Sequence, residues 1–298
     1  MEIRNVLVVG TGTLGSQIGF MCALHGFHTV MYDIDAAALD ACRSAHRRIG
    51  KAVGTDLGTP EEEIAAAHER LSYTTDLERA AREADLVSES VPEDPALKRK
   101  VFSELGTLCP PKTIFTTNSS TLLPGEIAGA SGRPERFLAL HFANKIWVNN
   151  VAEIMRHPGT DPEVFERVIR FAREIGMVPI RIEKEQNGYV LNTLLVPLLG
   201  AALTLVANGI ATPEDVDRTW MIAMKVPMGP FGTLDLIGLK TAYDITAYWA
   251  ARRGDRQSMK NAAYLKENFI DRGKLGVATG EGFYTYPDPA FRQPGFLG

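Results

Sequence analysis

Cysteine is scarce in this sequence. Cys22, Cys42 and Cys109 are odd in number and far apart, so neither a disulfide framework nor a metal site is predicted. This scarcity fits a reducing compartment, and we expect a cytoplasmic protein. Residues 1–4 run straight into an apolar stretch, which leaves no room for a signal or transit peptide and supports the same expectation.

An excess of charge is also lacking. The formal net charge is −4, so the composition gives no indication of nucleic-acid binding, and local groups must hold any anionic ligand. One long uncharged run, residues 189–207, approaches the length of a membrane span. Asn192 and a central Pro197 argue against insertion, so we expect no membrane association and a helix buried between protein surfaces.

Glycine is placed where a dinucleotide fold needs it. An apolar run at residues 5–9 predicts a buried strand, and Gly10, Gly12 and Gly15 follow it at the start of a helical pattern. In such a loop the glycines permit a tight turn, close approach of a pyrophosphate and close packing of helix on strand. Asp33 ends the next strand, about where a carboxylate binds the adenosine ribose. A strand, turn and helix with convenient glycines is the alternative, but it does not explain the acid.

Strands and helices alternate up to about residue 182, with strands predicted at residues 137–142, 151–155 and 178–182. A helix over residues 36–51 and a second helix, opened by Thr59 as its capping residue, form a predicted two-helix insertion. The alternation predicts a Rossmann-type doubly wound α/β domain over residues 1–184. The polar stretch at residues 183–188 is the predicted boundary. Beyond it the sequence predicts helices and no strands, among them helices over residues 189–208 and 234–251. We therefore expect an all-helical domain over residues 185–298, with the active site in the cleft between the domains.

His141 is the candidate base for alcohol–ketone chemistry. It titrates near neutrality as a residue type and lies at the end of a predicted strand, where doubly wound sheets bind ligands. Glu153 follows 12 residues later, and a turn between adjacent strands would bring it beside the imidazole. A Ser-His-acid hydrolase with Ser119 or Ser120 as nucleophile is a weaker alternative, because the sequence has no GxSxG elbow.

Seven separated motifs resemble the short-chain L-3-hydroxyacyl-CoA dehydrogenases, including 3-hydroxybutyryl-CoA dehydrogenases, over essentially the whole chain. The motifs are the loop at residues 10–15 with Asp33; Glu93-Asp94 with Lys98; Asn118-Ser119-Ser120; His141-Phe142-x-Asn144 with Glu153; Asn192 with Leu194-Leu195-Val196-Pro197; Pro227-Met228-Gly229-Pro230-Phe231; and Thr279-Gly280-Glu281-Gly282-Phe283-Tyr284.

The resemblance implies an NAD-dependent enzyme that interconverts L-3-hydroxyacyl-CoA and 3-oxoacyl-CoA. It implies a catalytic pair of His141 and Glu153, with Ser120 and Asn192 holding the substrate's oxygens and Asn144 in the same hydrogen-bonded shell. It also implies four side chains that contact NAD: Asp33, Glu93, Lys98 and Asn118.

A basic stripe of Arg43, Arg47 and Lys51 lies at i, i+4 and i+8 of a predicted helix. The resemblance places it where the family grips the nucleotide end of coenzyme A. A solvated helix face explains the same pattern, and this alternative remains open.

Two departures from the family pattern bear on the substrate. Ala143 and Lys145 flank Asn144 where the family usually has a second aromatic and then proline, and Thr193 replaces the arginine that usually follows Asn192. L-Gulonate and L-carnitine dehydrogenases share the fold and the His–Glu pair. The rival hypotheses are therefore a dehydrogenase of a small free hydroxy acid and a non-catalytic NAD-binding protein.

Two further expectations concern the size of the acyl pocket and the oligomeric state. Ile146 and Trp147 are expected to wall the acyl pocket, and a tryptophan there would favour a short acyl chain. The uncharged helix at residues 189–208 is nearly apolar all round, which predicts that the helical domain pairs with its copy in a homodimer.

Overall fold

The structure, a computed structural model, describes residues 2–298, which separate into two compact units at Val190/Leu191. The first unit is built on an eight-stranded sheet of order β3-β2-β1-β4-β5-β6-β7-β8. The strands are β1 (Asn5–Val9), β2 (His28–Tyr32), β3 (Leu71–Thr74), β4 (Leu86–Glu89), β5 (Ile114–Thr117), β6 (Phe137–Phe142), β7 (Val151–Met155) and β8 (Val178–Ile182). Neighbouring strands pair in parallel except β6 and β7. This confirms the predicted doubly wound α/β class.

Helices cover both faces of this sheet. They are α1 (Thr13–Leu24), α2 (Ala36–Leu57), α3 (Glu61–Glu69), α4 (Leu77–Ala81), α5 (Pro95–Leu108), α6 (Gly125–Ala128) and α7 (Pro162–Glu174). One hydrophobic cluster packs α1, α2 and α7 on one face, and a second packs α4 and α5 on the other. The central strands β4, β5 and β6 are buried along their whole length, as parallel strands covered on both faces must be.

The second unit is helical. It contains α8 (Leu191–Ala207), α9 (Pro213–Met224), α10 (Pro230–Ile237), α11 (Leu239–Arg253) and α12 (Arg256–Asn268), and its tail has only isolated bridges from Glu281 to Gly276 and Thr285. The helix predicted over residues 234–251 is wrong in one respect. Gly238, at φ +96°, breaks it into α10 and α11. Across residues 2–298, no helix has the length and hydropathy needed to cross a bilayer.

Three expectations for the first unit need correction. The insertion between β2 and β4 contains two helices as predicted, but also the edge strand β3 and the short α4. Strand β3 is short and only its first residue is fully buried, so it lacks the apolar run by which β1 was recognised. Helix α2 continues past Lys51 to Leu57, and α3 begins after an extended Pro60 without a side-chain cap.

Candidate active site

The carboxyl ends of β1, β4, β5 and β6 meet at one edge of the sheet, where open α/β folds bind their ligands. A cavity of about 390 Å³ opens there. It is lined by Thr13, Leu14, Ser90, Val91, Glu93, Lys98, Asn118, Ser120, Thr121 and Asn144. Four loops from four strands therefore contribute to one site within the first unit.

The glycine loop has the geometry of a phosphate cradle. A Cβ on Gly10 would lie 2.7 Å from the carbonyl oxygen of Ser90, and one on Gly15 only 2.0 Å from that of Gly10. A Cβ on Gly12 would meet no atom of the described chain within 4 Å. Gly12 also precedes α1 without a side-chain cap, so the first N–H groups of that helix are available to an anion.

Asp33 is held against this loop. Its Oδ2 accepts hydrogen bonds from the backbone N (2.9 Å) and the hydroxyl (2.8 Å) of Thr11, while Oδ1 accepts a longer one from the backbone N of Asp35 (3.3 Å). The carboxylate is thereby fixed beside the glycine loop, where a ribose attached to a pyrophosphate in the cradle would reach it. Sequence reasoning missed Thr11, because this bond joins two strand ends that are brought together only by the fold.

Lys98 is buried at the border of the cavity, and its expected contact with NAD stays a prediction. Its buried ammonium donates to Glu89 Oε1 (2.6 Å) and the carbonyl of Val91 (3.2 Å) and lies 3.3 Å from Glu93 Oε2. An ammonium has three donors, and these three acceptors match them. Lys98 thus pairs with the carboxylate of Glu93 and helps to hold it at the cavity. Burial raises the pKa of Glu89 despite the adjacent charge of Lys98.

Glu93 and Asn118 form hydrogen bonds that connect the carboxyl ends of β4, β5 and β6. Burial alone would raise the pKa of Glu93, but hydrogen bonds from Ser119 and Thr121 and the charge of Lys98 hold it below its usual value. The side-chain oxygen of Asn118 accepts the backbone N–H of Phe142 at 2.9 Å. Both carboxamide and carboxylate border the cavity, so their expected contact with NAD stays a prediction that the geometry permits.

His141, Glu153 and Ser120 form a hydrogen-bonded chain. Strands β6 and β7 are antiparallel and place His141 directly opposite Glu153, with Nδ1 3.0 Å from Oε2. Because a carboxylate only accepts hydrogen bonds, Nδ1 carries the proton and Nε2 presents a lone pair. The hydroxyl of Ser120 lies 3.0 Å from that Nε2 and lines the cavity. This arrangement can take a proton from, or give one to, an oxygen that enters the cavity beside Ser120.

Asn144 and Asn192 are the two other residues expected to hold the substrate. Asn144 lines the cavity. Asn192 belongs to the second unit, where it is a half-buried residue in the first turn of α8.

The basic stripe lies on the exposed side of α2. Arg43 pairs with Asp40 (3.1 Å) and stacks over the ring of Tyr73, while Arg47 donates to Ser44. Lys51 is exposed, and none of the three lines the cavity described above. These contacts are those of an ordinary solvated helix face, and they leave the charges accessible to an anion.

One expected feature of the substrate site is wrong. Ile146 and Trp147 do not line the cavity in the first unit; both belong to its hydrophobic core. The indole Nε1 of Trp147 donates to Asp56 Oδ2 on α2 at 2.8 Å. The side chains are buried because the turn after Asn144 points them toward α2, so the tryptophan is no argument for a short acyl chain.

Comparison with known proteins agrees with this geometry. The NAD-binding domain of 3-hydroxyacyl-CoA dehydrogenase matches residues 5–186, and the C-terminal domain of the same enzyme matches residues 188–286. The chain belongs to the 3-hydroxyacyl-CoA dehydrogenase family. It is therefore an oxidoreductase whose first unit binds NAD, and the fit of the glycine cradle and Asp33 to a dinucleotide agrees with this.

Relatives of this dehydrogenase cover nearly its whole length. A probable 3-hydroxybutyryl-CoA dehydrogenase of Bacillus subtilis is 33% identical over 97% of this chain and 99% of its own. The mitochondrial hydroxyacyl-coenzyme A dehydrogenase of Rattus norvegicus is 32% identical over 95% of this chain and 91% of its own. A solved diketoreductase, described as acting on dicarbonyl compounds, is 51% identical with a TM-score of 0.91 over 96% of this chain and 100% of its own.

Proposed function

We propose that this dehydrogenase interconverts a short-chain L-3-hydroxyacyl-CoA and the corresponding 3-oxoacyl-CoA. The observation that carries the proposal is the chain Ser120–His141–Glu153 at the edge of a dinucleotide cradle. NAD, which the cradle of Gly10, Gly12 and Gly15 and the carboxylate of Asp33 would hold, would supply the hydride acceptor for oxidation and, as NADH, the hydride donor for reduction. His141 Nε2 takes the C3 hydroxyl proton, Glu153 stabilises the imidazolium, and Ser120 orients the oxygen. Asn192 and Asn144 complete the substrate contacts in this proposal.

The acyl group is proposed to be short because two relatives, from Bacillus subtilis and Deinococcus radiodurans, are named as probable 3-hydroxybutyryl-CoA dehydrogenases. The stripe of Arg43, Arg47 and Lys51 is the proposed contact for the phosphates of coenzyme A. Three free, buried cysteines support a cytoplasmic location, and exposed apolar side chains on α8 and α11 support a homodimer formed by the helical domain.

A second candidate is the reduction of a dicarbonyl compound that carries no coenzyme A. The observation that favours it is the 51% identity to a diketoreductase, against about 33% for the thioester enzymes. The two candidates share their chemistry, because a 3-oxoacyl thioester is itself a 1,3-dicarbonyl. They differ in whether the protein also binds the nucleotide part of coenzyme A in the substrate.

NADH oxidation with matched substrates separates the two candidates. We expect acetoacetyl-CoA to give a higher kcat/KM than ethyl acetoacetate, acetoacetate or 3-oxooctanoyl-CoA. The His141→Gln variant should lose about 10²- to 10⁴-fold in kcat on every active substrate, the usual worth of a positioned acid–base group. His157→Gln is the matched control, because His157 is buried away from the cavity and bonds the carbonyl of Pro134.

Each contrary outcome has a definite meaning. Equal or higher kcat/KM for the ester would transfer the assignment to the dicarbonyl class. Rising kcat/KM with chain length would contradict the short acyl group, and unchanged turnover in His141→Gln would remove that residue from the mechanism.

A further inference from the structure

Tyr189 is the buried aromatic residue that lies closest in sequence to the end of the first unit. Its side chain is only 1% exposed, and its backbone adopts a left-handed φ of +53°. Bulky non-glycine residues rarely adopt this conformation, which costs energy unless the surroundings compensate. A turn bond from its N–H to the carbonyl of Gln186 holds the backbone there. Because this conformation costs energy, the other contacts of Tyr189 must offset that cost.

Those contacts are with the catalytic chain. The ring of Tyr189 stacks on the imidazole of His141, with centroids 4.6 Å apart and planes inclined by 19°. Its hydroxyl donates to the carbonyl of Ser119 at 2.6 Å, next to Ser120. The following amide, from Val190, donates to Oε1 of Glu153 at 2.9 Å. Two consecutive residues thus contact all three segments that supply the catalytic groups.

The stack restrains a motion that the two in-plane bonds leave free. Hydrogen bonds to Glu153 and Ser120 fix the edges of the imidazole, but the ring can still tilt about the line joining its two nitrogens. A ring parallel to the imidazole face opposes that tilt. An aromatic face also attracts a cation, and the imidazole is cationic after it has taken the substrate proton.

We propose that Tyr189 is a positioning residue that holds the plane of the His141 imidazole and stabilises its protonated form through the stacked ring. The proposal rests on the proposed function, because it concerns the same proton transfer. Burial, with the nearby charges of Glu93 and Glu153, raises the pKa of the Tyr189 phenol far above its usual value. The phenol therefore stays protonated as a donor to Ser119 and carries no proton in the reaction.

The test compares variants that remove the ring or only its hydroxyl. Tyr189→Leu removes the ring and should lower kcat about 10- to 100-fold with NADH Kd unchanged, because misplacement of a catalytic group costs rates of that order. Tyr189→Phe keeps the ring and should retain kcat within about threefold on the same grounds. The matched control is Phe171→Leu, because Phe171 is an equally buried aromatic residue whose ring packs against Phe27 at 5.1 Å and does not line the cavity.

A spectroscopic measurement makes the result independent of folding yield. Ring current from the stacked tyrosine should move the carbon-bound protons of His141 upfield in the wild-type NMR spectrum, and this displacement should vanish in Tyr189→Leu. If Tyr189→Leu does not fold, Tyr189→Met and the wild-type spectrum provide the same comparison.

Three outcomes would overturn the proposal: retained kcat in Tyr189→Leu, equal losses in the Leu and Phe variants, and a kcat loss matched by Phe171→Leu. The first would show that the ring is dispensable, the second would assign the effect to the hydroxyl, and the third would reduce it to general destabilisation. Failure of the proposed function is distinct, since it would appear as absent turnover in the wild type while the His141 proton shifts still report the stack.

Discussion

The fixed carboxylate of Asp33 is the residue-scale feature that bears on cofactor choice. Thr11 occupies one of its oxygens with two hydrogen bonds, so the charge cannot swing away from the ribose site. A 2′-phosphate would face this negative charge, and the following residue, Ile34, is exposed and offers no cation. The geometry thus selects against NADP by repulsion.

We expect wild-type protein to bind NADH at least about tenfold more tightly than NADPH, since facing like charges cost more than 1 kcal/mol. Asp33→Ser should narrow this difference, mainly by improving NADPH binding. Fluorescence titration with both cofactors measures the ratio. Asp35→Ser is the control, because Asp35 caps α2 through Ala37 and serine can also cap. Equal affinities in the wild type would show that Asp33 does not contact the ribose.

At this scale, sequence reasoning reached residues whose position follows from strand periodicity. His141 and Glu153 each lie on a strand whose bounds were predicted correctly, so their meeting required only that β6 and β7 be neighbours. Tyr189 and Trp147 were beyond such reasoning. The direction of their side chains depends on the conformation of loops, including a left-handed residue at Tyr189, which no periodicity reports.

At the scale of elements, a buried histidine joins three of them. His46 on α2 donates from Nε2 to the carbonyl of Ser16 on α1 (2.9 Å) and accepts at Nδ1 from the hydroxyl of Tyr73 on β3 (2.6 Å). Burial lowers the pKa of His46 to about 4. The neutral imidazole therefore anchors α2, the helix that carries the basic stripe, to the helix of the glycine cradle.

This anchor predicts a loss of stability in mild acid. The unfolded chain protonates His46 near pH 6.5 while the folded protein does so only near 4, so unfolding takes up a proton between these values. His46 should thus subtract up to about 3 kcal/mol from the unfolding free energy as pH falls across this window, at 1.36 kcal/mol per pKa unit. Urea unfolding between pH 7 and 4 should show a weaker pH dependence for His46→Gln than for wild type. Parallel curves would exclude a neutral buried His46.

Element prediction from sequence succeeded where the apolar runs were long and failed at edges. The bounds of β1, β6, β7 and β8 agree with the predicted strands, since each is a run of at least five largely apolar residues. Strand β3 was missed because its stability comes from pairing with β2 rather than from its own composition. The break at Gly238 was missed because one glycine within a helical pattern does not reveal its φ.

For the whole molecule, the proposed dimer depends on apolar side chains that the helical unit leaves exposed. Leu194 on α8 is 69% exposed, and Ile245 and Trp249 on α11 are each 40% exposed. Exposed apolar surface of this kind marks a site that a partner usually covers. We propose a second copy of the chain as this partner, because the nearly apolar helix at residues 189–208 predicts pairing of the helical domain.

Light scattering should therefore report twice the chain mass at micromolar concentration. Leu194→Glu should shift the species toward monomer, because a charge would be buried at the interface. Leu57→Glu, a comparably exposed leucine at the end of α2 in the first unit, should leave the dimer intact. A monomeric wild type would contradict the proposal directly.

The antiparallel pairing of β6 and β7 limits how this site can vary among relatives. His141 and Glu153 face each other because they occupy the same rung of the ladder, whatever the length of the connection at residues 143–150. Insertions in that connection leave the pair intact and can reshape the substrate side. A single-residue insertion within either strand would turn one partner to the opposite face of the sheet. The register of β6 and β7 therefore preserves the catalytic pair, while changes in the adjoining loop can alter substrate specificity.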